Sequence, residues 1–383
     1  MNFAMSEPAA ITDFTSESEL RSEALTRILI VRLSSMGDIL HAMPAVTLLR
    51  QALPEGSIGW IIEERWAPLL CAPGTPLSGP RSPGRPLVDV VHTVDTATWR
   101  ATPFSPETWK EVRAIRRELR AEAYELAIDF QGALRTALMA HWAGAKTLVG
   151  FEHPREHAAS LLYDRRVEAE GSHVIEQSVS LAAALSCTAA MPPPIALPVD
   201  AAAEKWCENA LRQHQIHEFA ILNPGAGWAG KQWPAEYYGE VAKGLAALGF
   251  RSLVNFGPGE ESLACAVENN SDDEAEAVPC SLSELISLTR RARLFIGGDT
   301  GPMHLAAALR VPVVGIFGPT NPSRSGPFGT RSIILRSAAS SNTETVRRSA
   351  ARKQREQTDP GLLSITVDDV LGAAMQLLGS ALA

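Results

Sequence analysis

The sequence predicts an α/β protein built from two similar units that face each other across a cleft. Short β-branched runs recur at residues 28–31, 58–62, 88–91, 126–129 and 147–150 with helical patterns between them, and strands alternating with helices imply a parallel sheet. A proline-rich stretch at 192–198 then breaks the composition, and the same alternation restarts at 219–222. The chain length of 383 residues, with 45% hydrophobic and 20% charged side chains, is enough for two substantial cores.

In chain order, residues 1–26 form an expected loose leader, since positions 1–22 are rich in Ser, Glu and Ala and carry no sustained period; Met5 is an alternative start. The run Ile28-Leu29-Ile30-Val31 leads through Leu33-Ser34-Ser35-Met36-Gly37-Asp38 into an apolar stretch from Ile39 to Leu49, which reads as strand, loop and helix. A helix is expected over 109–121. Prolines and glycines through 73–86 rule out regular helix there, and the segment is expected to be a mobile surface loop. The proline run divides an N-terminal domain, 27–195, from a C-terminal domain, 196–383. After an intervening helical stretch the second unit has strands at 219–222, 252–256, 294–296 and 313–317, with helices over 237–248 and from Leu282. Residues 337–358, rich in Ser, Arg and Glu, are expected to be a surface connection, and 367–378 an amphipathic helix.

Bulk properties narrow the function. The 35 Lys+Arg against 43 Asp+Glu give a formal charge of -8, which disfavours nucleic acid as a partner. Five scattered cysteines, Cys71, Cys187, Cys207, Cys265 and Cys280, form no C-x-x-C pair and read as reduced thiols. Neither an export signal nor a run of about 18 apolar residues is present, so a cytoplasmic location is expected.

Four loops at strand ends carry candidate chemistry. At the first, Leu294-Phe295-Ile296 enters Gly297-Gly298-Asp299-Thr300-Gly301, and Pro302 opens a helix through His304. Free N–H groups and the positive end of the helix dipole there suit phosphate oxygens, with Gly301 allowing close approach and Thr300 and His304 adding donors. The competing reading is a plain N-cap by Asp299 or Thr300. A second loop, Asn223-Pro224-Gly225-Ala226-Gly227-Trp228-Ala229-Gly230-Lys231, places a lysine that can neutralise a diphosphate or stand solvated at the surface. In a third, Glu260 after Gly257-Pro258-Gly259 can accept from ribose hydroxyls or merely start a helix.

The fourth loop, in the N-terminal half, holds Asp38 at the carboxyl end of the first strand, the expected ligand edge of an open α/β sheet. Asp38 is the candidate base for an attacking hydroxyl, or the cap of the helix that follows. Asp129-Phe130-Gln131-Gly132 and Arg135 mark another such edge with the same ambiguity. Neither a D-x-D pair nor a His/Cys/carboxylate cluster at ligand spacing occurs, so a metal-held diphosphate is not indicated.

Taken together, these residues resemble glycosyltransferase family 9, the bacterial heptosyltransferases, from about Arg27 to the C-terminal helix. The most specific match is Gly298-Asp299-Thr300-Gly301-Pro302-Met303-His304-Leu305-Ala306. The segments 33–41, Trp60-Ile61-Ile62-Glu63-Glu64 and Asp129-Phe130-Gln131-Gly132 look like the members that add the first heptose to the inner core of lipopolysaccharide. The resemblance implies a GT-B architecture of two Rossmann-like domains, an ADP-heptose donor, a Kdo-bearing lipid A acceptor, and inversion without a metal or cofactor. By it, Asp38 is the base, and Gly225, Ala226, Gly227, Lys231, Glu260, Asp299, Thr300, Gly301 and His304 hold the donor. Ser35, Gly37, Arg135 and Arg155, with Arg32, fall on the acceptor side. The chain departs from the family in the 73–86 insertion and at Ala226-Gly227, where threonines are usual. A lipid acceptor implies peripheral association with the inner face of the inner membrane. Two alternatives stay open: a related transferase using another nucleotide-sugar, and a nucleotide-binding module without catalysis.

Overall fold

A computed structural model describes residues 26–186, 188–340 and 358–379. All of the expected leader except Thr26, and 341–357 of the expected surface connection, lie outside the described residues. The first sheet takes β1 (Arg27–Val31), β2 (Ser57–Glu63), β3 (Val90–Val94), β4 (Leu126–Asp129), β5 (Thr147–Phe151) and β6 (Arg165–Val167) in the order β3-β2-β1-β4-β5-β6. The second takes β7 (Phe219–Asn223), β8 (Arg251–Val254), β9 (Ala275–Ala277), β10 (Leu294–Gly298), β11 (Val313–Phe317) and β12 (Ser332–Arg336) in the order β12-β11-β10-β7-β8-β9. Every pairing is parallel, so in each sheet the carboxyl ends of all strands share one edge. Both faces must then be covered, which is why the central strands β1, β7, β10 and β11 are apolar and buried almost throughout.

The helices that cover the first sheet include α1 (Met36–Ala52), α2 (Pro106–Ala121), α3 (Leu134–Trp142) and α4 (Val174–Ser186). Helix α1 is buried over most of its length because it is enclosed by the sheet and α4. On the second sheet pack α5 (Ala201–Gln213), α6 (Ala235–Ala246), α7 (Glu261–Asn269), α8 (Leu282–Thr289), α9 (Gly301–Ala308) and α10 (Val367–Gly379). The buried Val370, Ala373, Ala374, Leu377 and Leu378 follow one face of α10 and join Val241 and Leu245 of α6 in a common core. Residues from α8 and α9, namely Leu285, Ile286 and Leu305, belong to the same apolar cluster as Ile30, Met36 and Ile39 of the first half. The two halves therefore share one stretch of core.

Where sequence and structure differ, side chains explain it. The third strand begins at Val90 rather than Val88 because the Asp89 carboxylate accepts the Ile58 N–H at 2.8 Å, taking the place of a ladder bond. Strands β6 and β9, three residues each, carry no apolar run to announce them, whereas the half-buried edge strand β12 does have one in Ile333-Ile334-Leu335 and was passed over. The stretch 73–86 has no helix, as expected, and lies mostly at the surface, but it is organised from within. Arg85 is only 1% exposed and donates to the carbonyls of Pro76, Gly79, Pro80 and Val88, gathering the segment around one buried guanidinium. Four of the five cysteines are described, and all four are free thiols. Among the described residues no helix is long and apolar enough to cross a membrane.

Candidate functional site

Helices α1 and α9 start at the carboxyl edges of their sheets and touch at their first turns, and two glycines allow it. A Cβ on Gly37 would lie 2.5 Å from His304 Cδ2, and one on Gly301 would lie 2.8–3.0 Å from the Met36 side chain. The signature loops of the two halves thereby come into direct contact.

On the N-terminal side, Asp38 Oδ2 accepts from both the N–H and the hydroxyl of Ser35, each at 3.0 Å, while Oδ1 meets Arg32 Nη2 at 2.7 Å. Asp38 thus caps α1 and still faces the cleft, with 41% of its side chain open. Its enclosure by protein favours the neutral acid, but the Arg32 guanidinium and the Ser35 hydrogen bonds outweigh this and hold the carboxyl below its ordinary range. Asp129, by contrast, is fully buried and satisfied by Gln131 and Gly132 N–H, Thr136 and Tyr163, and burial pushes it upward. It braces the strand edge, and Gln131 Oε1 in turn accepts the Leu33 N–H.

On the C-terminal side, Thr300 is the N-cap of α9 but makes no side-chain cap; its hydroxyl donates to Gly298 O instead. Asp299 does not cap either. Its Oδ2 takes Lys231 Nζ at 2.7 Å and its Oδ1 takes His304 Nε2 at 3.2 Å. Burial would raise its pKa, but His304 and Lys231 prevail and hold it far below the usual carboxylate range. The first N–H groups of α9 are thus left to the cleft rather than to a side chain.

A chain of histidines joins the halves. His41 Nε2 lies 3.1 Å from His304 Nδ1, and the His173 ring stands edge-on to His41. His173 Nδ1 accepts the Ile175 N–H and its Nε2 donates to Gly326 O, an arrangement that requires the neutral ring. Burial first, then the neighbouring His304, pushes the His41 pKa well down, so it too is neutral. His304 thus faces His41 through Nδ1 and the Asp299 carboxylate through Nε2.

Among the cavities along this seam, two share the Asp38 wall. One, of about 490 Å³, is lined by Ser35, Gly37, Gly227, Lys231, Asp299, Thr300, Gly301 and His304. The other, of about 540 Å³, is lined by Arg32, Phe130, Gln131, His153, Arg155 and Gln177. Asp38, His41, Val174 and Arg324 line both. Of the residues singled out from sequence, Ser35 and Gly37 thus stand on the first cavity, with Lys231 and Asp299, rather than with Arg155 on the second. Gly225, Ala226 and Glu260 line neither: the Glu260 carboxylate accepts the Gly257 N–H at 2.8 Å and lies against Gly225. Arg135, at the start of α3, also lines neither.

Sequence reading passed over Arg324, His41, His173 and Trp66. Arg324 follows the carboxyl end of β11, an edge position that could have drawn notice. Trp66 lines the first cavity, and its indole N–H is buried without a partner among the described residues. No group of three or more His, Cys, Asp or Glu placed to hold a metal ion occurs among the described residues.

The sequence profile of glycosyltransferase family 9 (heptosyltransferase) matches residues 112–355. Lipopolysaccharide heptosyltransferase 1 of Escherichia coli strain K12 is 30% identical over 323 residues, 81% of this chain and 93% of that protein. The Pseudomonas aeruginosa protein of the same name is 29% identical over 81% of this chain and 83% of its own length. The solved structure of E. coli heptosyltransferase WaaC with ADP-2-deoxy-2-fluoro heptose is 27% identical and superposes with a TM-score of 0.69, covering 92% of this chain and 99% of that one. Two parallel-sheet domains meeting at a cleft, with the profile spanning most of the chain, make this protein a GT-B glycosyltransferase that belongs to family 9, the heptosyltransferases.

Proposed function

We propose that the protein transfers heptose from ADP-heptose to the Kdo-bearing inner core of lipopolysaccharide, in one inverting displacement that uses no metal ion. The observation that carries this reading is Asp38, ionised and standing on the wall common to both cavities, opposite the exposed start of α9. The similarity to lipopolysaccharide heptosyltransferase 1, and to the WaaC structure with ADP-2-deoxy-2-fluoro heptose, supports the choice of donor and sugar.

In this reading the diphosphate lies in the first cavity. The N–H groups at the start of α9, Lys231 and Arg324 offset its charge. A bare carboxylate beside a diphosphate would repel it, so Asp299 acts through its partners, fixing Lys231 Nζ and the His304 ring. The acceptor lies in the second cavity, where Arg32, Arg155 and Arg324 match its acidic character. An acceptor hydroxyl oxygen attacks the anomeric carbon, the bond from that carbon to the β-phosphate oxygen breaks, and Asp38 takes the hydroxyl proton. The electron pair leaves on ADP, where the α9 dipole stabilises it. Residues 27–195 make the acceptor half and 196–383 the donor half, and the reaction takes place at the cytoplasmic face of the inner membrane. Incubating the protein with a Kdo-bearing lipid A acceptor and a panel of nucleotide-sugars tests the assignment. Turnover of ADP-heptose is expected, and turnover of a different donor alone would overturn it.

A further inference from the structure

Helix α2 shows a division of charge that neither its own packing nor the reaction uses. Its inner stripe, Thr108, Ile115 and Leu119, is buried against the first sheet. At ~100° per residue, Trp109, Lys110, Arg113, Arg116, Arg117 and Arg120 all fall within an outer sector of about 120°, while Glu107, Glu111 and Glu118 gather within about 40° on the far flank. Each of the six is exposed. Lys110, Arg113, Arg116 and Arg117 have no hydrogen bond or ion pair among the described residues, whereas the acids are engaged by Ser105, Trp99 and His92. This is a one-signed cationic face on a chain whose formal charge is -8.

Aromatic side chains stand on the same surface. Phe104, just before the helix, is 93% exposed, and Trp109 is 52% exposed. Both sit at the end of α2 that follows β3, whose carboxyl end shares the sheet edge with the Asp38 loop. A row of unpaired cations beside protruding aromatic rings fits an anionic lipid surface: the cations meet headgroup phosphates and the rings sit at the interface. Nucleic acid would use the cations but leave an exposed phenylalanine at the rim unexplained.

We propose that this face of α2, with Phe104 and Trp109, docks the protein onto an anionic bilayer and holds the mouth of the acceptor cavity toward it. The position of the cavity relative to the lipid rests on the acceptor assignment above; the docking itself does not. The test is sedimentation of the full chain with vesicles of phosphatidylglycerol and phosphatidylethanolamine, against vesicles of phosphatidylcholine alone. Binding to the anionic vesicles only, weakening as salt rises, is expected. R113Q/R116Q/R117Q should weaken it on the order of 100-fold, at about fivefold per charge. R113K/R116K/R117K should retain it, and F104S/W109S should reduce it at every salt concentration. Absence of wild-type binding, or triple-glutamine binding equal to wild type, overturns the proposal. Transfer to a short-chain, water-soluble acceptor separates the two claims: it should be unchanged in the triple-glutamine variant, and its absence in the wild type would count against the acceptor assignment alone.

Discussion

Asp38 carries two roles on one carboxylate: Oδ2 closes the first turn of α1 through Ser35, and Oδ1 faces Arg32 and the cleft. Asp38→Asn separates them, because the amide oxygen still accepts from Ser35 but no longer takes a proton. We expect the turnover rate to fall by about 10²–10⁴-fold while donor affinity and fold are retained, measured by single-turnover transfer and ADP-heptose titration; undiminished turnover would reduce Asp38 to a cap. The depressed pKa sets a second expectation. Asp38 stays ionised until pH falls through its lowered value, so if it is the proposed base the acid limb of the kcat/KM profile lies below the usual carboxylate range. Arg32→Gln removes the principal stabiliser of the anion and should move that limb upward, whereas Arg32→Lys should move it less. A limb that stays in place would separate Arg32 from the base.

At the scale of elements, the site depends on how closely α1 approaches α9. Gly37 is where His304 lies against the backbone, and both ring edge and helix are held by their own packing. Gly37→Ala should therefore force the two helix starts apart, costing about 1–3 kcal/mol of stability, the usual scale for overpacking. Urea unfolding measures this, and a matching loss of transfer is expected because the two cavities meet on either side of the contact. Equal stability of variant and wild type would show that the seam yields freely.

Over the whole molecule, the apolar cluster that takes Ile30 and Met36 from one half and Leu285, Ile286 and Leu305 from the other ties the domains together. Thermal unfolding should accordingly be a single transition; two well-separated ones would refute this. The seam also holds His41 and His173, both with pKa values below that of a free histidine because they are buried. Unfolding lets them take up protons, so their contribution to stability is intact above the unfolded pKa of about 6.5 and is lost as pH falls below it. The midpoint should drop over that range, and His41→Gln should flatten the dependence.

The alternation of apolar runs with helical patterns settled the α/β class and the two parallel sheets, because burial on two faces demands such runs. Gly301 and His304 could be placed at a helix start for the same local reason. Side-chain pairings across and within the loops were not legible. Asp299 with Lys231, His41 with His304 and Asp38 with Arg32 depend on how the loops are set in space. Arg324 gave no periodic signal, and the bond from the Gly257 N–H to the Glu260 carboxylate could not be read from spacing alone. Local sequence determines what a backbone segment must bury. Which carboxylate meets which cation is decided by how the loops within each half fold against one another, and the close approach at Gly37 and Gly301 adds the His41–His304 contact between the halves.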